Sequence, residues 1–488
     1  MTGSRAFHPS HSNVRASGAL QFLAGVMLVV CVLAGGSSRE TNVVLLTSQV
    51  LALPLILWSI TSLGSQDRLW QARAGLAVVL AIIALPMLQL LPVPEWLWRM
   101  SPERVALLDE LGRAGVGALD YRWSLSPAAT EQNLYVLLPP VALFLVALSS
   151  DARAWRVWLW GVVGMAVFSM MLGFVQLGLP QDSFFKPFPN AGDHLTGVFA
   201  NKNHQASLLA IGLVLVLALT GDVAATRFDR GRRSRIARWV LVPSFILVLP
   251  LVHSRAGVII ALLVSGVVLL LTGPMAIRRW RESHFTRAWA LIAVASVVLG
   301  TLAAWGWMQN EVELENDRWT TMLATAKLAV AHSPLGSGFG TFVATFEQGT
   351  AGALMQQGYI NNAHNDYLQW WYEGGVLTVG VVLAGLIVLW RSVHRLFRSP
   401  DASQSRAGGL AATAGLLVLL FHSTVDYPLR TPALMTVAGL LAGIVIASAL
   451  PKRNSAHHVK RAHGRGAQTG SAEGARSSVS FPMPIESN

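Results

Sequence analysis

Long apolar runs alternate with shorter polar connections along most of the chain. A helix crosses the hydrocarbon layer of a bilayer with about 20 mostly apolar residues, and twelve windows of the 488-residue sequence have that character. The windows lie near 17–35, 43–63, 74–92, 132–149, 157–178, 206–220, 239–252, 257–273, 288–306, 374–390, 407–421 and 433–450. This pattern predicts an all-α integral membrane protein with about 12 transmembrane helices.

The apolar windows divide the chain into three regions. Residues 1–16 form an N-terminal tail, residues 17–450 a polytopic membrane domain, and residues 451–488 a tail rich in Ser, Gly, His and Arg, a composition typical of disorder. We interpret the first window as a spanning helix, because its apolar run is long and lacks an obvious small-residue cleavage site. An even number of crossings places both tails on the same side.

Basic residues indicate which side that is. The two tails and the even-numbered loops hold 26 of the 37 Lys and Arg residues, and the opposite loops hold 11. Acidic residues divide the other way, 8 against 17. Because short loops rich in Lys and Arg stay in the cytoplasm, the sequence predicts that both termini are cytoplasmic and that the other loops lie outside.

The composition agrees with this topology and argues against other classes. The chain is 53% hydrophobic and 13% charged, with a mean hydropathy of +0.49. The net charge of +12 follows from the basic cytoplasmic loops, so nucleic-acid binding is not expected. Cys31, the single cysteine, lies in the first window and cannot form an intramolecular disulfide. We expect it to be a packed apolar side chain.

The polar residues that are unusual for a membrane protein concentrate in the outer loops. Three outer segments are extended, at 93–131, 179–205 and 307–373, and two are short turns, at 253–256 and 422–432. They carry the stretches GVFANKNHQA, HSRAG, NDRWTTM, HSPLGSGFGTF, NNAHNDYLQWW and HSTVDYPLR. Polar groups near membrane depth are costly, so their convergence at the outer helix ends predicts a site at that face.

Two arginines on the outer side oppose the charge bias. Arg255 follows Ser254 in a short turn between two apolar helices, where the alternative to a functional role is a side chain that snorkels to the interface. Arg318 follows the acidic run EVELEND. Its alternative is an exposed ion pair that contributes about 0–1 kcal/mol.

The stretch NNAHNDYLQWWYEGG carries the candidate histidine, His364. Asn361 or Asn362 could cap a helix that continues into the membrane. At helical spacing His364 shares a face with Trp371, and a histidine titrates near neutral pH. His364 is therefore a candidate base or hydrogen-bonding group, whereas Asp366, two residues on, would point away from it on a helix.

The three glycines of LGSGFG, namely Gly336, Gly338 and Gly340, superficially suggest a phosphate-binding loop, but no strand precedes them. We expect them to form a tight turn between two helices of the largest outer loop. The histidines lack the spacing of a zinc site, and no acidic pair repeats as a divalent-metal site requires. No metal is expected.

Taken in order, these stretches resemble a known family. GVFANKNHQA, SRAG before a membrane helix, Arg-Trp in the large outer loop, HSPLGSGFGTF and AHNDYLQ are similar to the O-antigen ligase and polymerase family of bacterial envelope glycosyltransferases. The resemblance covers about residues 195–380 and includes the loop 307–373. The alanine of SRAG, where the family often has glycine, and the long basic tail depart from the family pattern.

The resemblance implies a class C glycosyltransferase-like fold with a large helical periplasmic loop, located in the bacterial inner membrane. It implies transfer of a glycan from undecaprenyl diphosphate to an acceptor hydroxyl at the periplasmic face, without a cofactor. By motif, it implies that Arg255, Arg318 and His364 are catalytic and that Ser254 belongs to the serine-arginine motif. Expected partners are the lipid-linked donor, a glycan or lipid A core acceptor, the bilayer and envelope polysaccharide assembly proteins.

General chemistry indicates how these residues would act. The leaving diphosphate needs positive charge, which the arginine fork supplies, and the acceptor hydroxyl benefits from a neutral base such as His364. Lys202 is a further candidate for phosphate contact. Asn201 and Asn203 either bind sugar or cap the following helix, and Asp366 is also a candidate substrate-binding residue.

Three acceptors fit the resemblance: a growing repeat-unit chain, lipid A core, or a protein hydroxyl. The FANKNHQA and HNDYLQWWYEGG stretches favour a polymerase of O-antigen or exopolysaccharide. A transporter or lipid flippase is an alternative of another class, but the apolar windows are nearly free of charge and no repeat relates the two halves. A scaffold protein would leave the outer histidine and arginines without a purpose.

Overall fold

The computed structural model describes residues 11–37, 43–65, 68–116, 120–180, 182–186, 188, 194–221, 232–272, 312–350, 360–398 and 404–451. The chain divides into a unit of residues 1–449 and a second unit that begins at Leu450. Regular secondary structure in the described ranges is helical throughout, apart from one isolated bridge between Pro92 and Arg122. The tail predicted to be disordered, 451–488, lies outside these ranges except for Pro451.

The described residues form seventeen α-helices and two 3-10 helices. The α-helices are α1 (His11–Ala34), α2 (Val43–Ser65), α3 (Arg68–Gln71), α4 (Arg73–Gln89), α5 (Glu95–Trp98), α6 (Pro102–Arg113), α7 (Pro127–Val136), α8 (Leu138–Ser149), α9 (Ala152–Leu177), α10 (Lys202–Thr220), α11 (Arg232–Val248), α12 (Arg255–Thr272), α13 (Val312–His332), α14 (Phe342–Gly349), α15 (Asp366–Arg398), α16 (Gln404–His422) and α17 (Pro432–Ser448). The 3-10 helices are Leu249–Val252 and Pro428–Arg430.

Six described helices are long and apolar enough to cross a membrane, and five more are apolar but shorter. The six are Leu46–Gly64, Pro127–Ser149, Ala152–Leu177, Lys202–Thr220, Asp366–Arg398 and Ser405–His422. The eleven together coincide with eleven of the twelve windows expected from the sequence, which confirms the all-helical membrane class. The remaining window, 288–306, lies outside the described residues, so the count of twelve stays a prediction. Helix α1 begins at His11, inside the predicted N-terminal tail.

Helix α10 lies at the centre of the membrane bundle. It packs against α9, α11, α12 and α16, and almost all of its side chains are buried. Its first turns nevertheless carry four buried polar residues, Asn203, His204, Gln205 and Ser207. Because buried polar groups need partners, the end of the bundle at which α10 begins must supply them.

The described parts of the loop 307–373 are largely helical, as the sequence predicts. Helices α13 and α14 pack against the start of α15 through a buried cluster formed by Ala329, Phe342, Phe346, Ala363 and Tyr372. The LGSGFG segment joins α13 to α14, and all three of its glycines have positive φ angles of 78°, 115° and 80°. The predicted tight turn between two loop helices is therefore confirmed.

Helix α15 is interrupted where the loop meets the membrane. Gly375 has φ 65° and ψ −158°, which no helix contains. The carbonyls freed at this break accept hydrogen bonds from the glycine turn, from Ser337 N to Tyr372 O at 3.0 Å and from Gly338 N to Glu373 O at 2.8 Å. The Gln89 side chain donates to Glu373 O as well, at 3.0 Å. The break thus separates the start of α15, which packs against α13 and α14, from the rest of the helix.

Candidate active site

Buried polar side chains gather at the end of the bundle where α10 begins, and Asp426 lies at the centre of this cluster. Its side chain is 1% exposed and belongs to the turn between α16 and the second 3-10 helix. Its Oδ1 accepts from Tyr427 N at 2.8 Å, and its Oδ2 accepts from the Asn203 side-chain amide. The Nε2 of His204 lies 3.9 Å from Oδ1. The sequence placed HSTVDYPLR in the outer set but did not single out this aspartate.

His364 faces the same carboxylate. Its Nδ1 lies 3.7 Å from Asp426 Oδ1, and its ring centroid is 5.1 Å from that of Tyr427. The His364 side chain is 24% exposed, whereas Asp426 is 1% exposed. Asp426 therefore lies on the buried side of the ring, and part of the ring remains accessible. This arrangement leaves Nε2 as the ring nitrogen directed away from the carboxylate.

The backbone at His364 differs from the expected helix. His364 precedes α15 and has a φ of 53°, so the face shared with Trp371 at helical spacing does not exist. Asn365, rather than Asn361 or Asn362, caps α15, because its Oδ1 accepts from Leu368 N at 3.0 Å. The non-helical backbone is what turns His364 toward Asp426.

The FANKNH turn enters the cluster from α10. Asn201 is the N-cap of α10, and its Oδ1 accepts from Asn203 N at 2.8 Å. Its amide nitrogen also donates to the Tyr427 hydroxyl, at 3.3 Å. Asn203 is buried and bound to Asp426, whereas Lys202 is partly exposed at the first position of the helix. Of the two roles left open, Asn201 performs the cap. Asn203 instead anchors the carboxylate of Asp426, a contact that the sequence did not suggest, and sugar binding by either residue stays a prediction.

The serine-arginine motif enters through α12. Ser254 is buried and caps this helix, since its Oγ accepts from Gly257 N at 3.2 Å. Arg255 is the first residue of α12 and is partly buried. A side-chain Cβ on Gly257 would overlap Ala206 of α10. The glycine therefore lets α12 approach α10 closely and brings Arg255 beside the FANKNH turn.

Arg318, on α13, acts on Asp426 through its charge. Burial alone would raise the pKa of Asp426, but the side chains of His364 and His204 and the charge of Arg318 outweigh it and hold that pKa well below its usual range. Burial, together with the charge of Asp426, raises the pKa of Tyr427 to about 12. The centre of the cluster is therefore an ionised carboxylate beside a neutral phenol.

Asp366 lies at the first position of α15 and bonds to the turn that follows α16. It is fully buried, and its Oδ2 accepts from Ser423 Oγ at 2.7 Å and from Leu429 N at 3.0 Å. Arg430 Nε lies 3.7 Å from its Oδ1. The carboxylate thus ties the start of α15 to the turn that presents Asp426, and a role of Asp366 in substrate binding stays a prediction.

Two further histidines missed by the sequence reasoning line the interior side of the cluster. The Nδ1 of His422 lies 2.7 Å from Ser207 Oγ. The ring of His204 is 4.8 Å from that of Tyr427. The signal for both was their place in outer motifs, but only the packing of α10 against α16 shows that they meet. Among the described residues, no group of three or more His, Cys, Asp or Glu side chains could hold a metal ion.

Comparison with known families supports a functional assignment for this cluster. Residues 239–384 match the family model described as O-antigen ligase. The match begins in α11 and ends within α15, so it contains Arg255, Arg318 and His364, while the FANKNH turn and Asp426 lie outside it. No curated protein matches the chain.

The match and the ordered motifs agree with the all-helical membrane fold. Both point to an enzyme that transfers glycans in a membrane, as a ligase or a polymerase. Over residues 239–384 the chain is similar to the O-antigen ligase family, and this match supports the resemblance to the O-antigen ligase/polymerase family.

Proposed function

We propose that the protein transfers a glycan from undecaprenyl diphosphate to an acceptor hydroxyl at the periplasmic face of the inner membrane, and that it polymerises O-antigen or exopolysaccharide repeat units. The observation that carries the proposal is the position of His364. Its Nδ1 faces a buried, ionised carboxylate at 3.7 Å, and its ring is partly exposed at the end of the bundle.

In this proposal His364 is the general base. A carboxylate near Nδ1 favours the tautomer that carries its proton there, which leaves Nε2 free to accept a proton. The acceptor oxygen forms a bond to the anomeric carbon as its proton passes to Nε2. The bond from the anomeric carbon to the phosphate oxygen breaks, and its electron pair leaves with the diphosphate. Asp426 is the positioning residue that stabilises the protonated ring.

Arg255, Arg318 and Lys202 supply the positive charge for the leaving diphosphate. Arg255 and Lys202 are the first residues of α12 and α10, and helix N-termini add a partial positive charge and free N–H groups. Fixed cationic groups stabilise charge where it develops in the transition state. In this proposal the three side chains therefore supply the positive charge that a departing diphosphate requires.

A ligase that uses lipid A core as the acceptor is the second candidate, and the description of the matched family favours it. The two reactions differ in what accumulates when the protein is missing. In a deletion strain, loss of a polymerase leaves single repeat units on the acceptor, whereas loss of a ligase leaves finished polymer on the lipid carrier. Gel analysis of the glycans would distinguish them, and unchanged glycans would contradict both.

The arginine assignment is tested with purified protein and an undecaprenyl diphosphate-linked oligosaccharide. Arg255→Ala and Arg318→Ala should each lower formation of the larger product by at least 100-fold, because removal of a transition-state charge contact costs about 2.7–4 kcal/mol. Arg122→Ala removes an exposed arginine whose one ion pair among the described residues is with Asp120, and it should leave activity unchanged. Full activity in either cluster variant, at normal membrane levels, would refute the assignment.

A further inference from the structure

Polar side chains gather at one end of an otherwise apolar groove. The groove encloses ≈ 560 Å³ between α4, α8, α15 and α17. Its lining on α15 changes from Gln369 and Glu373 in the first turns to mostly apolar side chains such as Leu386 further along. Arg430, two residues before α17, lines the groove as well. We call the end defined by Asn362, Gln369, Glu373 and Arg430 the polar mouth.

The polar mouth adjoins the proposed base. Asn362 is two residues from His364 in the chain, and Arg430 is three residues from Tyr427. The ring centroid of Tyr427 lies 5.1 Å from that of His364. A molecule held in the polar mouth is therefore close to the atoms that react at His364.

The polar mouth contains hydrogen-bonding groups that the described residues leave unused. The Arg430 side chain is 9% exposed, and its Nη1 donates to Glu373 Oε2 at 2.6 Å. Its Nη2 and Nε are buried and have no hydrogen-bond partner in the described part of the chain. Thr378, which also lines the groove, has a buried hydroxyl in the same condition. Because a buried donor without a partner is costly, these groups suit the oxygen atoms of a bound molecule.

The positive charge of Arg430 is already balanced within the protein. Its Nη1 lies 2.6 Å from Glu373 Oε2 and its Nε lies 3.7 Å from Asp366 Oδ1, and both carboxylates are buried. Arg430 and Glu373 are the two charged residues among the described residues that line the groove. An anionic ligand would lose its hydration there without meeting an unpaired cation, which is costly. The polar mouth therefore favours an uncharged molecule.

A sugar ring matches these groups. A hydroxyl both donates and accepts, so it can accept from Arg430 Nη2 and donate to the Glu373 carboxylate, whereas an ionised carboxylate only accepts. Asn133 on α7 adds an amide to the lining. Trp370 and Tyr135 add aromatic rings, whose negatively polarised faces attract the C–H groups of a sugar. The lining thus provides both the polar and the apolar contacts that a sugar ring uses.

We infer that the polar mouth is a sugar subsite, which takes an uncharged hexose ring of the glycan being joined and rejects a ring that carries a carboxylate. This inference rests on the proposed function and adds the class of sugar that the enzyme accepts next to His364. Glu373 is then a specificity-determining residue, because its negative charge balances Arg430 and excludes acidic sugars.

Direct binding to the full-length protein in detergent tests the inference. The probes are the methyl glycosides of glucose, galactose and mannose and their uronic acid counterparts, which differ from them by a carboxylate at C6. Saturation-transfer NMR titrations measure the dissociation constants. At least one neutral glycoside should bind about tenfold or more tightly than its uronate, because the uronate places a second negative charge beside Glu373. Equal or tighter binding of the uronates, or no binding of any neutral glycoside, would overturn the inference.

Two pairs of variants locate the charge that selects the sugar. Glu373→Gln should reduce the preference for the neutral glycoside to about threefold or less, whereas Glu347→Gln, at an exposed glutamate outside the lining, should keep it. Gln132→Lys adds a cation at an exposed lining position, leaves the buried pair intact, and should lower the preference about twofold or more. Gln348→Lys, exposed on α14 and outside the lining, is its control. A wild-type preference in Gln132→Lys and in folded Glu373→Gln would contradict the inference.

A transfer assay assigns the bound sugar to one substrate. The preferred neutral methyl glycoside is added as a competitor while the concentrations of donor and acceptor are varied separately. A higher KM for the acceptor alone would place the acceptor sugar in the polar mouth, a higher KM for the donor alone would place the donor sugar there, and either result supports the subsite. No inhibition well above the dissociation constant would contradict it. Selective sugar binding without any transfer by the wild-type protein would refute the proposed function instead.

Discussion

His364 depends on a backbone conformation that few side chains adopt. It and His253 are the two described non-glycine residues with positive φ, at 53° and 58°, and such conformations cost on the order of 1–3 kcal/mol each. The cost at His364 is offset nearby, since Gln369 accepts from Ala363 N at 3.0 Å and Asn365 caps α15. Strain that surrounding contacts enforce next to a buried carboxylate is typical of functional sites.

Asp426 should affect the rate of transfer far more than the binding of substrate. Asp426→Asn keeps the shape and the contact with Tyr427 N but removes the charge that orients and stabilises the His364 ring. We expect kcat to fall by about 10²–10⁴-fold, the usual contribution of general acid–base catalysis, with little change in donor KM. Steady-state kinetics on the purified variant measures kcat and donor KM separately.

Thr424→Ala provides the control for that experiment. Thr424 is exposed in the same turn, and its hydroxyl bonds only to Phe421 O among the described contacts. Its kinetics should equal those of the wild type. If Asp426→Asn raised KM and left kcat unchanged, Asp426 would have a substrate-binding role and the positioning role would be wrong.

At the scale of elements, the site is assembled from helix ends and from the loop that ties them together. The 93–131 segment holds the glycine turn, because Arg104 Nη2 donates to Gly336 O at 2.7 Å and Trp123 Nε1 donates to Leu335 O at 2.8 Å. The glycine turn in turn occupies the break of α15 at Gly375. The extended segments 93–131 and 307–373 therefore act as one support, and His364 is fixed by residues far from it in sequence.

The stability of this support should fall in mild acid, because the buried ring of His332 would have to be protonated. The ring is 1% exposed and both of its nitrogens lack hydrogen-bond partners in the described residues. Burial, and secondarily the charge of Arg104, lowers its pKa to about 4. The unfolded chain, with a pKa of about 6.5, binds the proton more readily. The stabilisation is thus present above pH 6.5 and is lost as the pH falls toward 4, by on the order of 3 kcal/mol.

His332→Phe should remove this loss and keep the ring contact with Tyr372, whose centroid lies 5.0 Å away. We expect a smaller drop in Tm between pH 7 and pH 5 than in the wild type, measured on detergent-purified protein. His394→Phe changes an exposed histidine on α15 and should leave the drop unaltered. An identical drop in His332→Phe and wild type would show that another group carries the acid sensitivity.

At the scale of the whole molecule, the apolar pattern was enough to predict the class and most of the helices. Spanning helices must satisfy their own backbone and be apolar over a fixed length, so windows such as 206–220 correspond closely to α10 (Lys202–Thr220). The outer motifs were likewise found as a set, since polar residues stand out against apolar helices. The resemblance supplied Arg255, Arg318 and His364, all of which lie within the residues that match the family model.

The contacts within the site could not be predicted in the same way. Asp426 and His364 are 62 positions apart in the sequence, and no periodicity relates a loop before α15 to a turn after α16. Asp366 is the acidic residue nearest to His364 in sequence, but helical spacing already argued against it as a partner, and the left-handed backbone at His364 turns the ring toward Asp426 instead. Sequence periodicity predicts individual helices, whereas the contacts of the site form where the ends of several helices meet.

The most direct test of the account is the rate of glycan transfer by His364→Asn. Asparagine tolerates a positive φ, so the variant should insert, fold and bind the undecaprenyl diphosphate-linked oligosaccharide as the wild type does. Without a base for the acceptor hydroxyl, single-turnover transfer by the purified variant should fall by at least 100-fold. Transfer at the wild-type rate by a properly folded His364→Asn protein would contradict the central claim.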